Sequence, residues 1–250
     1  VKQALTDITG EDFGDSHAWR DYWKTVGGDF DPNKDRGDKE KSSTVLRPDE
    51  GSQFFKEKIV AKRIMFVIDV SGSMEAEDPP IEGQGGGKRI ERVKNELLNT
   101  IKGLKGDVSF NVIAYSHVLK SWKKIGKGAP LHKASPGNKG NAVKWITGLK
   151  ADGATHTDDA LKKGFDVIEV NTIVLLSDGQ PARMNAAKNG VDPIPAEEIL
   201  KKVKGMNRLR GVKIHTFCFE VFKNDPGAQP LLDFMQKLAE DNGGKMTLVR

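Results

Sequence analysis

One stretch constrains the fold of this chain more than any other: Ile64-Met65-Phe66-Val67-Ile68, a run of five large apolar residues that ends in Asp69 and then Ser71-Gly72-Ser73. An unbroken apolar run rich in β-branched residues reads as a strand buried on both faces, as in the middle of a parallel sheet. Asp69, Ser71 and Ser73 then fall just past its carboxyl end, where ligands bind in open α/β sheets. All three carry hard oxygen atoms. Magnesium takes octahedral oxygen coordination, keeps several waters and uses one or two protein carboxylates, so this group reads as part of a metal shell. Ser-Gly-Ser after a strand is also ordinary loop composition, and a metal reading requires further ligands elsewhere.

Two later segments supply them. Gly153-Ala154-Thr155-His156-Thr157-Asp158-Asp159 leads into a helical pattern and places Thr155 in a loop. Ile173-Val174-Leu175-Leu176-Ser177-Asp178-Gly179 repeats the grammar of the first strand: a buried run, an Asp, a Gly turn. The order Asp-x-Ser-x-Ser, Thr, Asp resembles the metal-ion-dependent adhesion site of the von Willebrand factor A (VWA) domain family. The resemblance implies that Asp69, Ser71, Ser73, Thr155 and Asp178 coordinate Mg²⁺ (or Mn²⁺ or Ca²⁺), some of them through water. It runs from about Lys62 onward. The Arg89–Asn111 passage and the Phe234–Gly244 ending are similar to bacterial VWA proteins and to the VWA domain of inter-alpha-trypsin inhibitor heavy chains.

The rest of the pattern agrees with the fold this implies: a doubly wound, Rossmann-like open α/β sheet, mostly parallel with one short antiparallel strand, and helices on both faces. Ile90, Val93, Leu97, Ile101 and Leu104 step by three and four, one apolar helix face closed by Gly106. Val108 to Val112 and Val118 to Trp122 read as two strands joined at Ser116-His117, a connection that permits only an antiparallel pair. Helices are expected on Val143, Ile146 and Leu149, on Leu161, Phe165 and Ile168, on Ile199, Val203, Met206 and Leu209, and on Leu231, Met235 and Leu238. Strands are expected at Ile173, at Val212–Phe219 and at Met246–Val249, with a long loop through Pro195. Alternation this regular describes a doubly wound sheet.

Residues 1–58 read as an extension and 59–250 as the domain. In the extension, Ser16 caps a short helix with Trp19, Tyr22, Trp23 and Val26 on one face, and Asn33–Ser43 has the composition of a linker. No apolar run approaches the length of about 20 residues that a membrane helix needs, so no membrane insertion is expected. The start at Val1 carries no signal-peptide pattern, and the chain reads as a segment of a longer protein. Cys218 is the only cysteine; its isolation favours a reducing compartment, while the family resemblance favours an extracytoplasmic or cell-surface one.

Net charge is +5, but Lys88–Lys150 holds fourteen Lys and Arg against three Asp and Glu. That reads as a solvated helix surface, or as a face for an acidic polymer. The insertion Glu75–Lys88 begins beside the metal, and Glu75, Glu77 and Asp78 offer a second cation site like those flanking the adhesion site of integrin β chains.

His156 beside Thr155 invites a hydrolytic reading. The carboxylate-poor ligand set favours capture of an incoming carboxylate instead, so the expectation is a non-enzymatic module. A protein partner's Asp or Glu completes the metal shell, and no small-molecule substrate is involved. The alternatives are a subunit working with an AAA+ ATPase, as in chelatases, and nucleic-acid binding through the basic face. The chain has no GxxxxGK[ST] phosphate loop of its own.

Overall fold

The structure is a computed structural model that describes Arg20, Trp23, Lys24 and residues 52–249 apart from 56, 81–85, 126–129, 186, 188 and 189. The chain divides into two compact units, Val1–Leu46 and Arg47–Arg250. In the first, Arg20, Trp23 and Lys24 are helical. The other residues of the expected aromatic helix, and Asn33–Ser43, lie outside the described residues.

The second unit begins with two short antiparallel strands, β1 (Ser52–Phe54) and β2 (Glu57–Ile59). The sequence expectation left most of this pair in the extension. Phe54 is fully buried, with its ring 4.8 Å from that of Phe217 in an edge-on contact, and this contact joins the pair to the sheet's core.

The main sheet follows from the apolar runs. Its strands are β3 (Arg63–Asp69), β6 (Ser109–Tyr115), β7 (Leu119–Ser121), β8 (His132–Lys133), β9 (Thr172–Leu176), β12 (Lys213–Phe219) and β13 (Met246–Val249), in the order β13-β12-β9-β3-β6-β7, with β8 also pairing β6. The first five of that order are mutually parallel, whereas both β7 and β8 run antiparallel to β6. The antiparallel edge therefore has two short strands where one was expected. A buried asparagine links them. The Asn111 amide donates to the carbonyls of Lys123 and Pro130, and its oxygen accepts from the backbone of Val112 and Lys123. A polar side chain is thereby tolerated at full burial.

Alternation along each strand sorts the core into two layers. Ile64, Phe66 and Ile68 face one way with Phe110, Val112, Val174 and Phe217, under α1 (Arg89–Gly103) and α2 (Pro136–Thr147). Met65 and Val67 face the other way with Ile113, Ile173 and Ile214, under α3 (Thr157–Phe165), α4 (Ala196–Asn207) and α5 (Gln229–Glu240).

Helix ends are set by local chemistry. Ser135 caps α2, with Pro136 opening it. Helix α3 carries Asp158 and Asp159 in its first turn and Lys162 and Lys163 in its last, matching the helix dipole. Four expected helix-face residues fall outside their helices: Leu104 and Leu149 stay buried just past the ends of α1 and α2, whereas Ile168 is 86% exposed and Leu209 87%. The guanidinium of Arg210 collects the carbonyls of Phe165, Val167 and Ile168, which satisfies the end of α3 at Phe165. The Asn207 side chain pairs with both backbone groups of Val212 and closes α4. The long loop through Pro195 contains a further antiparallel pair, β10 (Ala182–Met184) and β11 (Val191–Pro193). The insertion after β3 likewise forms a ladder, β4 (Glu77–Asp78) with β5 (Gly87–Lys88).

The sheet order decides where a ligand fits. From β3 the chain crosses to β6 on one side, and later returns to β9 on the other. The carboxyl end of β3 is thus a topological switch point, where diverging connections leave a crevice.

Candidate metal centre at the carboxyl end of the central strand

Asp69 is the last residue of β3 and is fully buried. The chain then turns tightly through a 3₁₀ helix, Gly72–Glu75, pinned by the fully buried Met74. Within this turn the Ser71 amide donates to Asp69 Oδ1 (2.8 Å), and the hydroxyls of Ser71 and Ser73 are 3.1 Å apart. Ser73 Oγ then donates to Asp178 Oδ1 at 2.7 Å. Four of the five expected site residues therefore lie in one hydrogen-bonded chain that joins the ends of β3 and β9.

Thr155 comes from the loop before α3, which is laced to the end of β3. The Gly72 amide donates to the Gly153 carbonyl, and the Asp152 amide to that of Val70. Gly153 has φ of 80°, and a Cβ there would collide with the His117 ring, so this loop conformation requires glycine. Thr155 approaches the other residues at Gly179. A Cβ on Gly179 would stand 3.2 Å from Thr155 Oγ1 and 3.5 Å from Ser73 Oγ. All five expected residues are thus gathered at one place.

The electrostatics of the group are those of carboxylates crowded out of water. Burial, and then the charge of Asp178, push the Asp69 carboxyl up to about 7, against the hydrogen bonds from Ser177 and Ser71. Burial also raises Asp178, against hydrogen bonds from Arg89 and Ser73. Tyr115, in register with Asp69 on β6, is buried and raised well above the usual phenol value by burial and by Asp69. The hydroxyls of Tyr115 and Thr157 are buried and unpartnered among the described residues. Among these residues no three Asp, Glu, His or Cys side chains converge, so a cation here would rest on two carboxylates and three hydroxyls. That donor set fits a hard, oxygen-seeking dication that retains waters.

Three residues that the sequence reading passed over shape this place. Ser177 donates to Asp69 Oδ2 at 2.6 Å. Its signal was positional, because it follows Leu176, which pairs with Ile68. Tyr115 stands beside Asp69, and Arg89 donates from Nη1 to Asp178 Oδ2 at 2.9 Å. Among the described residues, Glu75, Glu77 and Asp78 do not gather into the second cation site anticipated on the insertion. Glu75 pairs with Lys88, whereas Asp78 is taken by Arg89 and Arg92.

His156 is engaged in structure. Its Nε2 accepts from the Met184 amide at 3.4 Å, and Nδ1 is 3.8 Å from Asp159. Burial, and then Arg183, hold the ring below its ordinary pKa. The basic run of Lys88–Lys150 is partly spent in the same way. Arg89 and Arg92 bind Asp78, the Lys94 amine reaches Glu91 and the Leu149 carbonyl, and the Lys139 amine caps the end of α1 at the carbonyls of Lys102 and Leu104.

Residues 64–180 match the family model described as the von Willebrand factor type A domain. Over 202 residues the chain is 26% identical to inter-alpha-trypsin inhibitor heavy chain H4 of Bos taurus, covering 74% of this chain and 18% of that protein. Over 189 residues it is 26% identical to von Willebrand factor A domain-containing protein 3A of Homo sapiens, covering 75% and 13%. The chain spans less than a fifth of the length of these relatives. Solved structures of low sequence identity share its fold. A von Willebrand factor type A protein from Catenulispora acidiphila aligns over 77% of this chain and 40% of that one, with a TM-score of 0.54 and 15% identity. The PilB minor pilin from Streptococcus sanguinis aligns over 78% and 58%, with a TM-score of 0.54 and 17% identity.

Proposed function

We propose that this chain, which contains a von Willebrand factor type A domain, is a protein-interaction module that uses a divalent metal ion to capture a carboxylate of its partner. The observation that carries the reading is the continuous link Asp69–Ser71–Ser73–Asp178 with Thr155 alongside. Mg²⁺, or Mn²⁺ in its place, would be held by those five residues and would supply an electrophilic oxygen-binding position.

Binding is the reading that the residues support over hydrolysis. His156 follows Thr155 directly, and its Nε2 already accepts from the Met184 amide, so this imidazole is not set to act as a base. The hydroxyls of Ser71, Ser73 and Thr155 are neutral donors, so they leave an ion most of its charge and its appetite for an anionic oxygen. Asp or Glu from a protein partner is an oxygen of that kind.

Calorimetric titration of Mn²⁺ into the wild-type chain and the Asp69→Ala variant tests the reading. Uptake near one ion per chain, abolished in the variant while its circular dichroism is unchanged, is the expected result. Equal binding by both chains, or by neither at millimolar metal, would overturn it.

A further inference from the structure

Arg89 makes an unusual set of contacts for a residue at the first position of a helix. Its Nε donates to both oxygens of Asp78 (3.0 and 2.9 Å), and its Nη2 donates to Asp78 Oδ1 at 2.6 Å. Its remaining arm, Nη1, reaches Asp178 at 2.9 Å. The guanidinium also lies over the Phe222 ring, 4.7 Å from its centroid. Arg92 closes the far side of Asp78 at 3.1 Å and lies over Phe219 at 4.6 Å. This is a dry cluster: the side chains of Arg89, Asp78 and Asp178 are 12%, 5% and 0% exposed.

We infer that Arg89 is a built-in counter-cation of the candidate metal centre, which holds down the centre's own affinity for a dication so that tight binding waits for the partner's carboxylate. The inference rests on the metal-binding reading above and concerns the regulation of that same site. Two physical consequences of the geometry support it. First, Asp178 has one oxygen committed to Arg89 and offers only Oδ1, the oxygen beside Ser73, to an incoming ion. Second, a full positive charge stands one hydrogen bond from a ligand, in surroundings where water screens it poorly, and it repels a dication across a short distance. Asp78 shares that charge and moderates the repulsion. An ion seated here lacks the negative charge that would hold it firmly, and an external carboxylate restores it.

A purely structural role makes the opposite prediction. If Arg89 only orients Asp178, then loosening the cluster from either side weakens metal binding. Under the counter-cation role, the two sides have opposite signs. Arg89→Gln removes the repelling charge and should tighten Mn²⁺ binding by about tenfold or more. Asp78→Asn leaves Arg89's charge directed at Asp178 alone and should weaken it.

The experiment is calorimetric Mn²⁺ titration of the full chain, in wild type and each variant, with thermal melting as the control for folding. Arg89→Gln leaves Asp78 buried with less compensation, so the double variant Asp78→Asn/Arg89→Gln is the decisive sample if the single one does not fold. It should still bind Mn²⁺ more tightly than wild type, since the lost cation donates directly to Asp178, whereas the lost anion and Arg92, which loses its partner, meet each other and not Asp178. Equal or weaker binding by the folded Arg89 variant, while wild type binds, overturns this inference and leaves the metal reading standing. A wild-type chain that takes up no Mn²⁺ removes both.

Discussion

Ser177 and Asp69 are 108 residues apart in the chain, yet the Ser177 hydroxyl donates to Asp69 Oδ2 at 2.6 Å. The bond exists because β9 and β3 are parallel neighbours in a fixed register, with Leu176 opposite Ile68. It leaves Asp69 with Oδ2 held by the residue that follows β9 and Oδ1 held by its own turn. The carboxylate is thus positioned by the fold itself, and on the proposed reading little ordering would remain to be done when an ion binds.

The five residues should not contribute equally to metal binding. Asp69→Ala removes the buried charge and should abolish Mn²⁺ uptake, whereas Ser71→Ala and Thr155→Ala each delete one neutral oxygen that a water can replace, for losses of roughly tenfold. In metal-free buffer at pH 8, Asp69→Asn should melt above wild type, because burial and Asp178 both oppose the charge of Asp69. Calorimetry orders the variants, and thermal denaturation with and without chelator checks the second outcome.

Gly179→Ala places a methyl group 3.2 Å from Thr155 Oγ1 and 3.5 Å from Ser73 Oγ. The methyl would crowd two of the oxygens proposed as ligands while touching neither core layer. The expected result is loss of Mn²⁺ uptake with unfolding by urea unchanged to within about 1 kcal/mol. Retained metal affinity would remove Thr155 and Ser73 from the ligand set.

Phe54→Ala should cost about 3–5 kcal/mol in the urea unfolding of the full chain. Its ring is fully buried against Phe217, Phe55 and Phe66, and the β1–β2 pair is tied to α1 by Thr100 Oγ1 donating to the Gln53 carbonyl. A cost below about 1 kcal/mol would show the pair to be an appendage.

His215 on β12 is held below the ordinary histidine pKa by burial first and by Lys213 next, with Lys245 adding to the effect and Glu57 opposing it. The folded chain therefore keeps His215 neutral over a range in which the unfolded chain takes up a proton. Stability from this group is present above the unfolded value of about 6.5 and is lost as pH falls from there toward the folded value. His215→Gln should make the melting temperature less sensitive to pH across that window. An unchanged pH profile would contradict this account.

Cys218 is fully buried, and burial pushes its thiol up to about 12. It should resist a thiol reagent at pH 8 in native buffer and react fully once urea unfolds the chain. Rapid labelling without unfolding would place the thiol at an accessible, functional position.

The sequence by itself determined the layers and the chemistry available at the site. Strand β3 was legible because burial on both faces leaves an unbroken apolar run, and α1 because burial on one face leaves a three-to-four period. Asp69, Ser71, Ser73 and Asp178 stood out because they follow buried apolar runs, and Thr155 because it leads into a helical pattern; their reading as one metal-binding set came from the resemblance to the VWA domain family. Only the tertiary structure decided what those residues touch. Helix ends at Phe165 and Asn207 depend on Arg210 and on the Asn207 side chain, and the apolar period runs past both to Ile168 and Leu209. Arg89 reads as one basic residue in a basic stretch, yet it meets Asp178, eighty-nine positions away. Periodicity records how much of a segment is buried, whereas a charge pair across the fold depends on strand order and register, which bring together residues that no local pattern connects.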